Sequence, residues 1–226
     1  MEIKYSERGF TLVELLLVTV IIGIIGAGLY SLFDAHNRMA AKQEETTLMQ
    51  QELLSLMVMM SDELRMCGYR SINATGNFGF AHRPGANNPD SRRITNGTQI
   101  YCTQDGNNNG LLDETGNGST TDHVGFALNV NGAGNPSNDT IHRNVVKKYY
   151  TGAVNMRWQP VATNIGELGF TYFNAAEQVI ADPSTNLEEI RSVEINVTAV
   201  PSIERAGLGI QNRTMSTRVF CRNLSR

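Results

Sequence analysis

A chain of 226 residues with 41% hydrophobic content has room for one globular domain beyond any membrane segment. A net charge of −3 is too weak and too evenly spread to imply a nucleic-acid partner. Cys67, Cys102 and Cys221 are odd in number and in no metal-ligand spacing, so in an extracytoplasmic domain they read as one disulfide plus one buried thiol.

The chain begins with a short polar stretch, Met1 to Arg8, then Gly9 and an apolar run. From Leu12 to Phe33 about 22 residues carry one charge, Glu14, and no proline, which is long enough for a transmembrane helix. A secretory signal peptide would have a shorter apolar run followed by a small-x-small site, whereas here the small residue precedes the run. Lys4 and Arg8 behind the span, with no basic cluster just after it, predict a cytoplasmic N-terminal end. A carboxylate near the start of a membrane helix is costly unless paired, which marks Glu14 as functional. The plainer reading is a single-span anchor with a stray glutamate.

The helix is expected to continue past the membrane. Asp34 to Met66 contains no proline or glycine, and strong helix formers dominate. Met49, Leu53, Leu56, Met60, Leu64 and Cys67 step by four and three, one face of an amphipathic helix, with Gly68 placed to cap it. A single helix from Phe10 to Cys67 would be roughly 85 Å long. The methionines Met57, Met59 and Met60 read as core filler rather than as a cofactor site. These changes divide the chain into a short N-terminal stretch (1–9), a membrane half-helix (10–33), an amphipathic half-helix (34–68) and a β-rich domain (69–226).

Residues 72–98 read as a loop rich in Gly, Asn, Pro and Arg. Strand-like runs follow at Gln99–Thr103, His123–Leu128 and Thr140–Val146, the last two separated by a turn cluster from Asn129 to Asp139. Val193, Ile195, Val197 and Ala199 alternate with polar residues, as do Met215, Thr217, Val219 and Cys221. Successive strands with turns between them predict an α+β fold: a long N-terminal helix packed on an antiparallel sheet. Cys221 shares parity with Met215 and Val219, and Cys102 ends a strand, which favours a Cys102–Cys221 disulfide over pairs with helix residue Cys67. Such a bond would contribute on the order of 3–5 kcal/mol.

One stretch has the pattern of a calcium loop. In D-x-N-x-N-G, Asp105, Asn107 and Asn109 present oxygens at alternate positions, Gly110 permits the sharp turn, and Leu111 offers a backbone carbonyl. Asp113 holds position nine, but position twelve, where a bidentate Glu belongs, is Gly116, leaving Glu114 or Asp122 as substitutes. The affinity expected of so few carboxylates is about 10⁻⁴–10⁻³ M. The competing reading is a polar hairpin tip between the strands at Ile100 and Val124, since Asn and Gly make turns unaided. His36, His82, His123 and His142 are scattered and read, with Asp122, as surface residues. Arg205, Arg213, Arg218, Arg222 and Arg226 read as a solvated basic face, an acidic partner or DNA being the alternatives. No catalytic motif is present and no cofactor is expected, calcium apart.

The string Gly9-Phe-Thr-Leu-Val-Glu14 resembles the type IV prepilin signal. The resemblance implies that a prepilin peptidase cuts after Gly9, that Phe10 becomes the N-methylated first residue, and that Glu14 pairs with the new amine of its own or a neighbouring subunit. Ser61-Asp-Glu-Leu-Arg-Met-Cys-Gly-Tyr69 resembles the end of the long helix in PilW-type minor pilins. Gln159-Pro-Val-Ala-Thr-Asn-Ile165 with Leu168–Phe173, Ile190–Val197 and Arg218–Leu224 resemble later segments of the same PilW and pseudopilin-J branch. Many pilins kink the membrane half at a proline; this chain has Ser31 there, with Gly23, Gly26 and Gly28 upstream, a departure from major fibre-forming pilins. What the resemblance implies is a non-enzymatic minor pilin that helps initiate a type IV pilus at or near its tip, or alternatively a pseudopilin J-type subunit of type II secretion. Its partners would be other minor and major pilins, the prepilin peptidase, the inner-membrane assembly platform and, at the tip, an adhesin. It would sit in the inner membrane with a periplasmic head before entering the fibre. A membrane-anchored enzyme or ligand-binding module is a third class, needing a pocket of convergent titratable groups.

Overall fold

The structure, a computed structural model, describes residues 9–81, 83–84, 92–112, 122–128, 145–151 and 155–224. The chain forms two compact units, Met1–Glu44 and Glu45–Arg226. One helix, α1 (Leu12–Arg65), runs through both.

In the first unit α1 is apolar and exposed: Leu12, Val13, Leu15, Ile24, Leu29, Leu32 and Phe33 all lie open. An 18-residue window of mean hydropathy 2.6 with none of its residues buried is long and apolar enough to cross a membrane. Gly23, Gly26 and Gly28 sit inside the helix without interrupting it.

In the second unit the helix becomes one-sided. Met49, Leu53, Leu56, Met57, Met60 and Leu64 are buried while Leu48, Leu54 and Val58 face out, the period that a helix buried on one face requires. The buried face also contains a charge, Glu45. Its Oε1 accepts the Ser202 N–H at 2.7 Å and its Oε2 lies 3.6 Å from Arg205, so both oxygens have partners. The helix ends as the sequence implies: Gly68 takes φ 76°, and its N–H donates to the Thr103 carbonyl at 2.9 Å. A Cβ at Gly68 would meet Leu224 Cδ2 at 2.4 Å, the end of a side chain that can turn aside, so the positive φ is what favours glycine.

The head contains β1 (Gly79–Phe80), β2 (Arg83–Pro84), β3 (Arg92–Arg93), β4 (Gln99–Thr103), β5 (His123–Leu128), β6 (Val145–Thr151), β7 (Asn155–Ala162), β8 (Ile165–Phe173), β9 (Ser192–Ala199) and β10 (Arg213–Phe220). All ladders are antiparallel. The expected single sheet is instead divided: β1-β4-β5-β6-β7 form one sheet, β10-β9-β8 a second, and β2-β3 a small third. The division falls at the two-residue link between β7 and β8, where Asn164 has φ 53°. The Thr163 N–H and hydroxyl both donate to Glu52 Oε1, tying this corner to α1.

β4 and β5 match their predicted spans, and β9 extends the predicted strand by one residue. The loop expected over 72–98 includes β1, which pairs with β4, and β2 and β3, which pair with each other; strands of two residues carry no periodicity to read. The predicted strand at Thr140–Val146 and the turn before it lie mostly outside the described residues; β6 begins at Val145. The core joins the buried face of α1 to Ile100, Val124 and Phe126 of the first sheet and to Ile165, Phe170, Tyr172, Val193, Ile195 and Val197 of the second.

Candidate functional site

Three places carry the chemistry singled out in the sequence: the start of α1, the cysteines and the 105–111 loop. At the helix start Phe10 is 88% exposed. The Glu14 N–H donates to Thr11 Oγ1 at 3.2 Å, while the Thr11 N–H and hydroxyl donate to Glu14 Oε2 at 3.0 and 3.1 Å. This reciprocal pair is a capping box, which satisfies N–H groups that a helix start leaves open. Sequence reasoning treated Glu14 only as a charge. The Thr-x-x-Glu spacing was the signal it passed over. Among the described residues Glu14 has no cationic partner, which leaves its charge available.

The cysteines are brought closer than sequence parity implies. All three are buried free thiols. Cys67, set apart as a helix residue, belongs to the same buried cluster, and burial, then Cys102, push its pKa well up. The Cys221 thiol is raised by burial and by Cys102. The cause is the Gly68 cap, whose bond to Thr103 lays the helix end beside the last residues of β4. In an oxidising compartment the expected disulfide is therefore Cys67–Cys102, closing a loop worth about 4 kcal/mol by chain entropy. Peptide mapping without reductant checks it. A Cys102–Cys221 link or three free thiols would refute this pairing.

The 105–111 loop connects β4 to β5, which pair Cys102 with Val124. Asp105 is fully buried; its N–H donates to the Tyr69 carbonyl at 2.8 Å. Its Oδ2 accepts the N–H groups of Ser71 and Gly110, each at 3.1 Å. Burial raises the Asp105 pKa, but polar contact with Ser71 first, then with the Gly110 and Asn109 N–H groups, outweighs it and holds the carboxyl below its ordinary value. Asn107 Oδ1 accepts the Asn109 N–H at 3.0 Å, and Asn109 Oδ1 accepts the Leu111 N–H at 2.8 Å. Gly110 has φ 74°, and a Cβ there would sit 3.2 Å from Ala74 Cα. Asp113 and Glu114 lie outside the described residues.

Two residues expected at the surface are not there. Asp122 and His123 are both buried. Asp122 Oδ1 accepts the Gly106 N–H at 3.1 Å, and His123 Nδ1 lies 2.8 Å from the Tyr101 hydroxyl. Their burial follows from the β4–β5 pairing, which sets His123 opposite Thr103. The basic C-terminal stretch is also partly structural: Arg218 lies 3.9 Å from the Phe173 ring centroid and donates Nε–H to Ser192 Oγ. His82, His142 and Arg226 fall outside the described residues. Among the described residues no three His, Cys, Asp or Glu side chains converge as a metal site.

The family model described as the prokaryotic N-terminal methylation motif matches residues 4–30, which contain the Gly9–Phe10 junction and Glu14. No curated protein matches the chain. The motif's family is structural rather than catalytic. An apolar exposed helix start carrying this motif, leading to a head of antiparallel sheets, supports a type IV pilin-like or pseudopilin protein.

Proposed function

We propose that the chain is a minor pilin of the PilW type, helping to initiate a type IV pilus at or near its tip. The observation that carries this reading is the methylation motif heading an apolar helix whose distal half is covered by a β-rich head. The resemblance of segments 61–69, 159–173, 190–197 and 218–224 to the PilW branch supports the finer assignment. The apolar segment Leu12–Phe33 stores the subunit in the inner membrane, with its head in the periplasm, until transfer to the fibre. Charge at Glu14 and the new amine at Phe10 set register, and the head selects neighbouring pilins. The prepilin peptidase and the assembly platform act on the membrane-held form, and a tip adhesin joins the assembled end.

Processing supplies the test. Mass spectrometry of membrane-extracted protein is expected to find Phe10 as a methylated N-terminus, and Gly9→Val is expected to block the cut. An intact Met1 in the mature protein would overturn the assignment. Deleting the protein separates the two pilin roles: loss of surface fibres supports the pilus, and loss of secretion with normal fibres supports a pseudopilin.

A further inference from the structure

We propose that residues 105–111 form a divalent-cation site that takes Ca²⁺, with Asp105 Oδ1, Asn107 Oδ1, Asn109 Oδ1 and the Leu111 carbonyl as protein ligands. The independent observation is at Asp105. Its residue is fully buried, and its Oδ1 has no hydrogen-bond partner. The other oxygen, Oδ2, is committed to the N–H groups of Ser71 and Gly110, so the carboxylate is held inside the turn and cannot swing out to water. An unpaired oxygen of a buried carboxylate costs free energy unless something positive meets it. No hydrogen-bond donor meets Oδ1, and a hard cation is the natural complement of a carboxylate oxygen.

The rest of the loop is built to the same end. Asn107 and Asn109 each use Oδ1 to accept one N–H two residues on, which orients the amide. Asn108 and Gly110 take φ 58° and 74°, which turn the chain sharply within the segment. Tyr69 braces the outside, its hydroxyl donating to Asn108 Oδ1 at 2.8 Å. A second buried carboxylate, Asp122, is fixed on the Gly106 N–H and adds negative charge one residue from Asp105. Amide and carbonyl oxygens with one direct carboxylate, the remaining positions filled by water, suit Ca²⁺ with its six to eight flexible ligands and not the tighter octahedron of Mg²⁺. Affinity belongs at the weak end, about 10⁻⁴–10⁻³ M.

The test is thermal unfolding of the full chain in detergent, titrated with CaCl₂ or MgCl₂. At about 10 mM Ca²⁺ and a Kd near 1 mM, Tm is expected to rise by roughly 3–6 °C, with little change in Mg²⁺. Asp105→Asn is expected to remove the rise. Should that variant fail to fold, Asn107→Ala at an exposed position decides, with an expected several-fold weaker Ca²⁺ response. No shift up to about 10 mM Ca²⁺, an equal shift in Mg²⁺, or an undiminished response in Asn107→Ala would reduce the segment to a polar hairpin tip and overturn the proposal.

Discussion

Glu14→Gln is expected to leave membrane insertion and cleavage intact while lowering incorporation into fibres by more than about tenfold. The variant separates the helix cap seen at Glu14 from its proposed role in register. Glu14 caps the helix through Oε2, which accepts the Thr11 N–H and hydroxyl. Glutamine serves equally at that position of a capping box, so α1 still begins where it does. What is lost is charge. After cleavage the Phe10 amine would enter an apolar assembly uncompensated, and an unpaired charge in such surroundings costs about 2–3 kcal/mol even by the gentler scales, more than tenfold in an equilibrium. The measurement is the ratio of sheared-fibre to membrane-bound subunit in a strain dependent on this protein. Thr11→Ala serves as the control, losing the cap with the charge retained. Wild-type incorporation of Glu14→Gln would end the idea that the carboxylate sets register.

Leu53→Ala is expected to lower the head's Tm by roughly 5–15 °C, whereas Leu54→Ala one residue away should change stability by less than about 0.5 kcal/mol. Leu53 is 1% exposed within the cluster that joins α1 to both larger sheets, and Leu54 is 57% exposed. Truncating a buried leucine removes transfer free energy and leaves a cavity, together about 2–5 kcal/mol. The exposed neighbour loses neither. Both variants change helix propensity alike, so the difference between them isolates packing. Equal melting temperatures would mean that the buried face of α1 is misplaced.

The resolving power of such pairs comes from a pattern legible in the residues. Met49, Leu53, Leu56, Met60, Leu64 and Cys67 lie on the face that is buried, because helical period is a property of neighbours three and four apart. β4 and β5 were equally legible, their apolar residues being bounded by turn formers. Glu45 was not. A glutamate on a helix reads as solvent-facing until residues some 157 positions away, Ser202 among them, arrive to satisfy it. Asp122 and His123 misled for the same reason: polar type argued for the surface, while hydrogen bonds to Gly106 and Tyr101 make burial tolerable.

The amino-acid sequence alone determined the Gly9–Phe10 junction with its apolar helix, the one-sidedness of that helix beyond the membrane segment, and the D-x-N-x-N-G turn. Each depends on residues within a few positions of one another, where backbone period and turn chemistry act directly. Only the tertiary structure decided that the strands divide at Thr163–Asn164 into two larger sheets, that Cys67 and Cys102 share one core, and that Asp105 keeps one oxygen buried and unpartnered. Those outcomes depend on which distant segments share a ladder or a core. Strand pairing and burial are collective, and local residue type constrains them only weakly.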